Sequence, residues 1–562
     1  MRPKLAPTVV AVTELQGQFP VALVHEAIAA SRPDEICLIY RDRRLTWREI
    51  TDRTRRLANY LISQGLGCHI ERSGLAGHES GQDHLGIYLH NGNEYLESML
   101  GAFKARVAPF NVNYRYVAAE LQYLLDDARA TAIVVHSRFT PTLLDVLPSL
   151  PRLRVILQVA DESEQPLMPG AIWYEDALAA SSPDKPAVEW NADDLYILYT
   201  GGTTGMPRGV LWRNADANIQ CFGGSRAAEL EAIVAEAPGT MRSLLAPPFM
   251  HGAGHWLSLR TWNLGGTVHI QSHTDRLDPD DIWSMVERER SSFLLIIGDA
   301  FGRPLLDQLA KQTYDLSSLT VLLSGGAPLS APLKNEFLAR LPTVLIVDGL
   351  GSSEAGGQLS HVSAGTGATT GTFPISPHNH VLSEDLSREL QPGAPELGWL
   401  AKSGHLALGY LGDAEKTART YPVIDGVRYA VPGDRARLHA DGTVELLGRD
   451  SVTINSGGEK IFAEEVEAAV KAHPAVYDCV VAGRPSDRWG SEVVAIVRVR
   501  EGYEVDDDAL RIEAERHIAR YKLPKAFVYV PEIVRSPSGK PDYRWAKQIA
   551  KKPSANEPDR LA

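Results

Sequence analysis

The stretch from Thr200 to Val210, TGGTTGMPRGV, is the segment of this chain best equipped for chemistry. It follows the apolar run LYILY directly and brings together four glycines, three threonines and Arg208. Glycines let backbone N–H groups turn toward an anion, and hydroxyls add further donors. Taken alone, a Gly-rich loop is more often a flexible turn, and the Gly-Lys-Ser/Thr ending of the usual P-loop is absent. Other segments worth noting are SGGAPLS (324–330), the run from Asp348 to Glu354, and SGK ending at Lys540. By themselves, a Glu beside Gly is usually a solvated loop residue, and an isolated Lys is usually on the surface.

Those segments need a scaffold, and the surrounding pattern supplies one. From Val21 to about Val135, amphipathic stretches alternate with short apolar runs such as HLGIYLHN and ATAIVVHS, which reads as helices alternating with strands. Further strands are expected at DLYILYT, FLLIIGD, LTVLLSGG and TVLIVDG, each ending in residues that favour a turn. In open α/β sheets, ligands sit outside the carboxyl ends of the strands, so these strand-end loops are where chemistry is expected. CHIERSGLAGHESGQ (68–82) is polar and Gly-rich and reads as a surface insertion. After GTVELLGRD the character changes: EEVEAAVKAHPAVYDCVVAG reads helix then strand, VVAIVRVR strand, DDALRIEAERHIARYKL helix, and FVYVPEIV strand. The expected fold class is α/β: a large multi-layer N-terminal domain (1–449) of mixed sheets flanked by helices, and a small α+β C-terminal domain (450–562). The tail KKPSANEPDRLA is expected to fray.

Composition narrows the class. A chain of 562 residues exceeds what one hydrophobic core usually supports, and 44% hydrophobic with 23% charged residues is the balance of an ordinary globular enzyme. The formal charge of -13 argues against a nucleic-acid partner, which demands clustered surplus Lys and Arg. Cys37, Cys68, Cys221 and Cys479 lie far apart, without zinc-ligand or disulfide spacing. Neither a signal peptide nor a membrane span is expected, which leaves the cytoplasm as the default location.

The full string TGGTTGMPRGV resembles the Ser/Thr-Gly-x-Thr-Gly-x-Pro-Lys-Gly-Val signature of the ANL superfamily of adenylate-forming enzymes, which includes acyl-CoA synthetases. Leu350-Gly351-Ser352-Ser353-Glu354 resembles the Tyr-Gly-x-Thr-Glu segment of the same family, and ELLGRDSVTINSGGEKIFAEEVE its hinge. The resemblance implies that Thr200, Gly201, Gly202, Thr203, Thr204, Gly205 and Arg208 grip the ATP phosphates. It implies Glu354 as a Mg2+ ligand, and Asp348, Gly349, Leu350, Gly351, Ser352 and Ser353 beside the nucleotide. Gly325, Gly326 and Ala327 would border adenine and the acyl group, and His251 in PPFMHGAGHW would gate the acyl pocket. Asp434 would hold the ribose hydroxyls, Arg449 the ribose-phosphate side, and Asp450 would be the hinge of a mobile small domain. Lys540 would serve adenylation, while Gly457 and Gly458, with Ser456, would line the thiol channel.

The implied reaction joins a carboxylic acid to coenzyme A through an acyl-adenylate. The resemblance is closest to actinobacterial ligases for steroid side-chain or terpenoid acids, with LYTGGTTGMPRGVLWRN, GDAFGRPL, VPGDRARL and Trp399 in support. Two positions depart from the family: Leu350 stands for an aromatic platform, and Arg208 for a lysine. Arginine is a planar fork and lysine a point charge, so the exchange is not conservative. One alternative is therefore a ligase with impaired adenylation, fed acyl-AMP by a separate adenylating enzyme. A non-catalytic acyl-AMP binding protein, a luciferase-like oxidase and a peptide-synthetase module also stay open, as does oligomeric state.

Overall fold

The computed structural model describes residues 18–200, 206–365, 367–456, 459–486, 490–536 and 539–552. Two eight-stranded sheets build the large domain. One runs, in spatial order, through Gly356–Ser363, Leu345–Ser352, Val321–Gly325, Phe293–Ile296, Arg242–Leu245, Thr267–Ile270, Ile36–Tyr40 and Arg43–Thr46. Its six inner strands are mutually parallel, and the two outermost pairings are antiparallel. The other runs Gly409–Tyr410, Arg208–Arg213, Leu195–Thr200, Ala108–Asn111, His84–Tyr88, Ala132–His136, Val155–Val159 and Ile172–Trp173. Parallel strands covered on both faces read as unbroken apolar runs. That is why HLGIY and LYILY could be recognised, and both lie buried as strands.

A five-stranded antiparallel sheet, formed by residues 372–374, 443–449, 434–438, 398–402 and 379–382, sits beside the first sheet. Leu350 and Leu359 pack into its apolar layer with Phe373, Val381 and Leu400. Trp399 lies here too: its indole donates to Glu384 O at 3.0 Å, and the Arg435 guanidinium stacks 4.1 Å from its ring. The segment 68–82 is a surface loop with one short turn, Arg72–Gly74, closed by a bridge between Cys68 and Gln82.

The smaller C-terminal domain contains the pair Ile454–Ser456 and Glu459–Ile461, then the hairpin Val476–Ser486 and Gly490–Val499 with Ala526–Tyr529 alongside. Two elements are shorter than the sequence suggests. The helix expected over DDALRIEAERHIARYKL covers Asp507–Glu515 and gives way to a tight turn at Arg520–Lys522, ahead of Pro524. The strand in FVYVPEIV stops at Tyr529, two residues before Pro531, where proline removes the ladder donor. Among the described residues, no helix is long and apolar enough to cross a membrane.

One buried side chain ties the chemistry-bearing loops together. Asn111 accepts from Tyr199 N at 2.8 Å and donates to Tyr199 O at 2.8 Å and Met250 O at 2.7 Å. It thus fastens the strand that feeds the Gly-rich loop to the PPFMHG segment. Asn111→Ala leaves buried backbone groups unpaired and should destabilise the large domain by about 1–3 kcal/mol in urea unfolding. A change below about 0.5 kcal/mol would show that these bonds hold nothing.

Candidate active site

Five strand ends of the two sheets converge, carrying Thr200, the 247–252 loop, Gly298-Asp299, Gly325-Gly326-Ala327 and Asp348 to Glu354. Gly325 and Gly349 are register partners on adjacent strands, and Gly326 takes a φ of +82° that favours glycine. Gly298, at φ +49°, approaches Pro328 so closely that a Cβ would lie 2.5 Å from its carbonyl oxygen. Gly201, Gly202, Thr203, Thr204, Gly205, Gly457 and Gly458 lie outside the described residues.

Each carboxylate of the site is held. Asp348 accepts from the fully buried Lys334 ammonium at 2.5 Å, and burial nevertheless moves its carboxyl above the usual range. Lys334 also donates to Thr369 O, so this lysine joins the strand Leu345–Ser352 to the loop after the next strand, Gly356–Ser363. Glu354 Oε1 accepts from Tyr410 at 2.8 Å, and the Tyr421 hydroxyl donates to Glu354 O at 3.3 Å. Trp212 fixes the neighbouring turn by donating to Ser353 O at 2.9 Å, and Ser352 Oγ accepts from Ala355 N at 3.1 Å. Among the described residues, no group of three or more His, Cys, Asp or Glu could hold a metal unaided. A single positioned carboxylate does fit Mg2+, which keeps waters and takes further oxygens from phosphates.

Asp434 is buried and pairs in register with Arg449, whose Nε donates to its carboxylate at 3.3 Å. That carboxylate, with Glu354 and Glu464, raises Arg449 above its usual range against the effect of burial. Asp450 begins a short turn after this strand and donates its N–H to Gly433 O at 3.1 Å.

Lys540 is at the same place. Lys540 is exposed, yet the crowding of protein around it and the nearby Arg449 cation bring its ammonium down to about 8, with Glu354 and Asp434 opposing. Backbone bonds around Ser536 and Lys540 shape its turn, and Arg535 braces it with a 2.9 Å bond to Gly539 O and a fork to Asp478 at 2.7 and 2.8 Å. A Cβ at Gly539 would lie 2.7 Å from the Ile297 side chain. The two domains therefore touch where Lys540 enters. A second tie is the pair between Lys471 and Asp299 at 3.0 Å, both nearly buried. Burial alone would raise the Asp299 carboxyl, but Lys471 and the Ser330 N–H hold it below its usual range.

His251 caps the amino end of the helix Gly252–Asn263. Burial, with Lys540 as the next cause, drops its imidazole to about 3, and its buried Nε2 has no hydrogen-bond partner. Behind it, His255 bonds Tyr196 OH at 2.5 Å and Phe249 O at 2.6 Å.

Arg208 lies opposite Thr200 in register. Its Nη1 donates to Tyr123 OH at 2.7 Å and to Asp127 at 3.2 Å, while Tyr199 OH donates to the other Asp127 oxygen at 2.8 Å. One nitrogen of the guanidinium is thus tied to Asp127, while the side chain stays 38% exposed. Asn111, Lys334, Tyr410 and the Lys471–Asp299 pair were not read from the sequence. The quoted strings FNVNYRY and GDAFGRPL contain Asn111 and Asp299, but no local spacing marks their partners.

The AMP-binding enzyme family matches residues 25–411, and the AMP-binding enzyme C-terminal domain matches residues 465–540. The medium-chain acyl-CoA ligase Mig of Mycobacterium avium is 54% identical over 541 residues, covering 95% of this chain and 98% of that protein. A 3-oxocholest-4-en-26-oate–CoA ligase of Rhodococcus rhodochrous is 40% identical, covering 92% and 93%. Among solved structures, the anthranilate CoA ligase with anthranoyl-AMP superposes with a TM-score of 0.78 at 20% identity, covering 96% of this chain and 98% of that one. The chain therefore belongs to the AMP-binding enzyme family, as an AMP-forming acid–CoA ligase.

The buried interdomain pair makes a direct test possible. Lys471→Met leaves the Asp299 charge unpaired between the domains, at a cost of about 3–5 kcal/mol to the docked arrangement. Faster trypsin cleavage near Arg449 is the expected outcome, and an unchanged cleavage rate would mean the pair does not hold the domains together.

Proposed function

We propose that this ligase activates a bulky polycyclic carboxylic acid of steroid or terpenoid type as its acyl-adenylate, and then transfers the acyl group to coenzyme A. The observation that carries the reading is Lys540 seated beside Asp434, Arg449 and Glu354 at the convergence of the strand ends. The acid class draws support from the sequence strings quoted above and from relatives named for 3-oxocholest-4-en-26-oate. The 54% identical relative, named for medium-chain acids, makes aliphatic acids the natural competitors.

In the first half-reaction a carboxylate oxygen bonds the ATP α-phosphorus, and pyrophosphate leaves with the electron pair. Glu354 would hold Mg2+, which supplies neutralisation of phosphate charge when bound. Asp434 accepts from the ribose hydroxyls. Lys540 steadies the charge that builds on the α-phosphate, the kind of preorganised contact that strengthens in the transition state. Neutral His251 faces the acyl side without competing for a proton. In the second half the thiol attacks the adenylate carbonyl and AMP leaves. We assign the boundary between domains, and the hinge that would carry Lys540 away before this step, to Asp450. The residues Gly457 and Gly458 would then line the thiol path. The cytoplasm, where ATP and coenzyme A are supplied together, is the proposed location.

A narrower reading rests on Arg208. Its ion pair with Asp127 makes the one cation of the Gly-rich segment share its charge with a carboxylate of the protein. A ligase with weak adenylation, fed acyl-AMP by a partner, would follow if nothing replaced it.

Mass spectrometry of products from steroid-type and medium-chain acids, with ATP and coenzyme A, tests the main reading. Polycyclic acyl-CoA should form with the higher kcat/KM, whereas preference for the short aliphatic acids overturns the substrate class. The pH profile tests the role of Lys540. Its ammonium is charged below about 8 and is lost above it, so kcat/KM for ATP should fall about tenfold per pH unit above 8. Thioester formation from synthetic acyl-AMP should lack that limb, and a shared limb would remove Lys540 from the first half-reaction.

A further inference from the structure

Arg208 is shared with Asp127 through one guanidinium nitrogen, and a lysine stands near it. Lys416 lies on the short helix Ala414–Thr420, whose first turn is capped by Asp413 accepting from Lys416 N at 2.9 Å. That helix packs on the strand Gly409–Tyr410, where a Cβ at Gly409 would lie 2.4 Å from Thr417. The strand in turn pairs with Arg208–Arg213, so the helix is built onto the ribbon that carries the Gly-rich loop.

The Lys416 ammonium sits 4.1 Å above the Tyr410 ring, and the hydroxyl of that ring donates to Glu354 at 2.8 Å. It is half-buried, and among the described residues no carboxylate forms an ion pair with it. Burial lowers its ammonium, with the Glu354 carboxylate opposing and the Arg208 cation adding to the effect, so it lies within the field of both. A half-buried cation without a carboxylate partner, resting on an aromatic face beside the carboxylate suited to Mg2+, is a ready-made contact for a polyanion.

We propose that Lys416 meets the β- and γ-phosphates of ATP and takes the charge of departing pyrophosphate, beside an Arg208 whose guanidinium is shared with Asp127. The assignment rests on the ligase reading above. In the step concerned, a carboxylate oxygen bonds the α-phosphorus, and the bond from that phosphorus to the bridging oxygen breaks. The electron pair leaves on pyrophosphate, and Lys416 keeps its proton throughout. Arg208 then has a structural task, joining the ribbon to the helix Ala118–Asp127 that carries Tyr123 and Asp127.

Lys416→Met and Lys416→Arg separate this from a structural role. Lys416→Met should lower acid-dependent pyrophosphate release about 10- to 100-fold and weaken Mg-pyrophosphate as an inhibitor similarly. Conversion of synthetic acyl-AMP and coenzyme A to acyl-CoA should stay within about twofold, and Lys416→Arg should recover most of the pyrophosphate release. Unchanged pyrophosphate release in Lys416→Met, or an equal loss in both half-reactions, overturns the assignment. A wild-type protein that releases no pyrophosphate with any acid, yet consumes acyl-AMP, overturns the full ligase reading and this assignment with it, leaving the narrower reading.

Discussion

The structure turns on two charges buried between domains, Asp299 and Lys471. Asp299 sits in the first turn of a helix at a strand end of the large domain, and Lys471 in the last turn of the first helix of the small domain. Separated, each would need water or another partner, since an ionised group left alone in the interior costs several kcal/mol. Paired, they fix the small domain where Gly539 meets Ile297 and Lys540 feels the charges of Arg449, Asp434 and Glu354. The pair would suit the hinge proposed at Asp450, because both charges could be hydrated if the domains parted.

Around that latch, the large domain presents groups whose state is set before any substrate arrives. Tyr410 stays protonated through burial and the Glu354 charge, and so always donates to that carboxylate. His251 stays neutral. Asp348 is anchored by Lys334, which fixes its carboxylate within the strand Leu345–Ser352. Leu350 belongs with Leu359 and Phe373, so its replacement of an aromatic residue continues the apolar layer of the five-stranded sheet. Arg208 belongs with Tyr123 and Asp127.

What could be read in advance follows from how local each signal is. LYILY was legible as a strand because burial on both faces leaves an unbroken apolar run, and VLLSGG and VLIVDG, whose strands are only partly covered, because a short apolar run ends in Gly or Asp that marks the turn. Glu354, Asp434, Arg449 and Lys540 stood out only because the strings around them resemble a family. Tyr410 and Glu354 meet across 56 residues of sequence, Arg208 and Asp127 across 81, and Lys471 and Asp299 across 172. No periodicity or spacing encodes such pairs, since they arise from sheet order and domain docking. The change from lysine to arginine at 208 was visible, but its meaning depended on a carboxylate that only the fold brings near.

The central claim is that the acid's own oxygen attacks the α-phosphorus of ATP. Supplying the acid with both carboxyl oxygens as oxygen-18, together with ATP and coenzyme A, and weighing the nucleotide product tests it most directly. The expected result is AMP carrying one heavy oxygen, beside unlabelled pyrophosphate. Unlabelled AMP, or ADP with the label in inorganic phosphate, would contradict an acyl-adenylate.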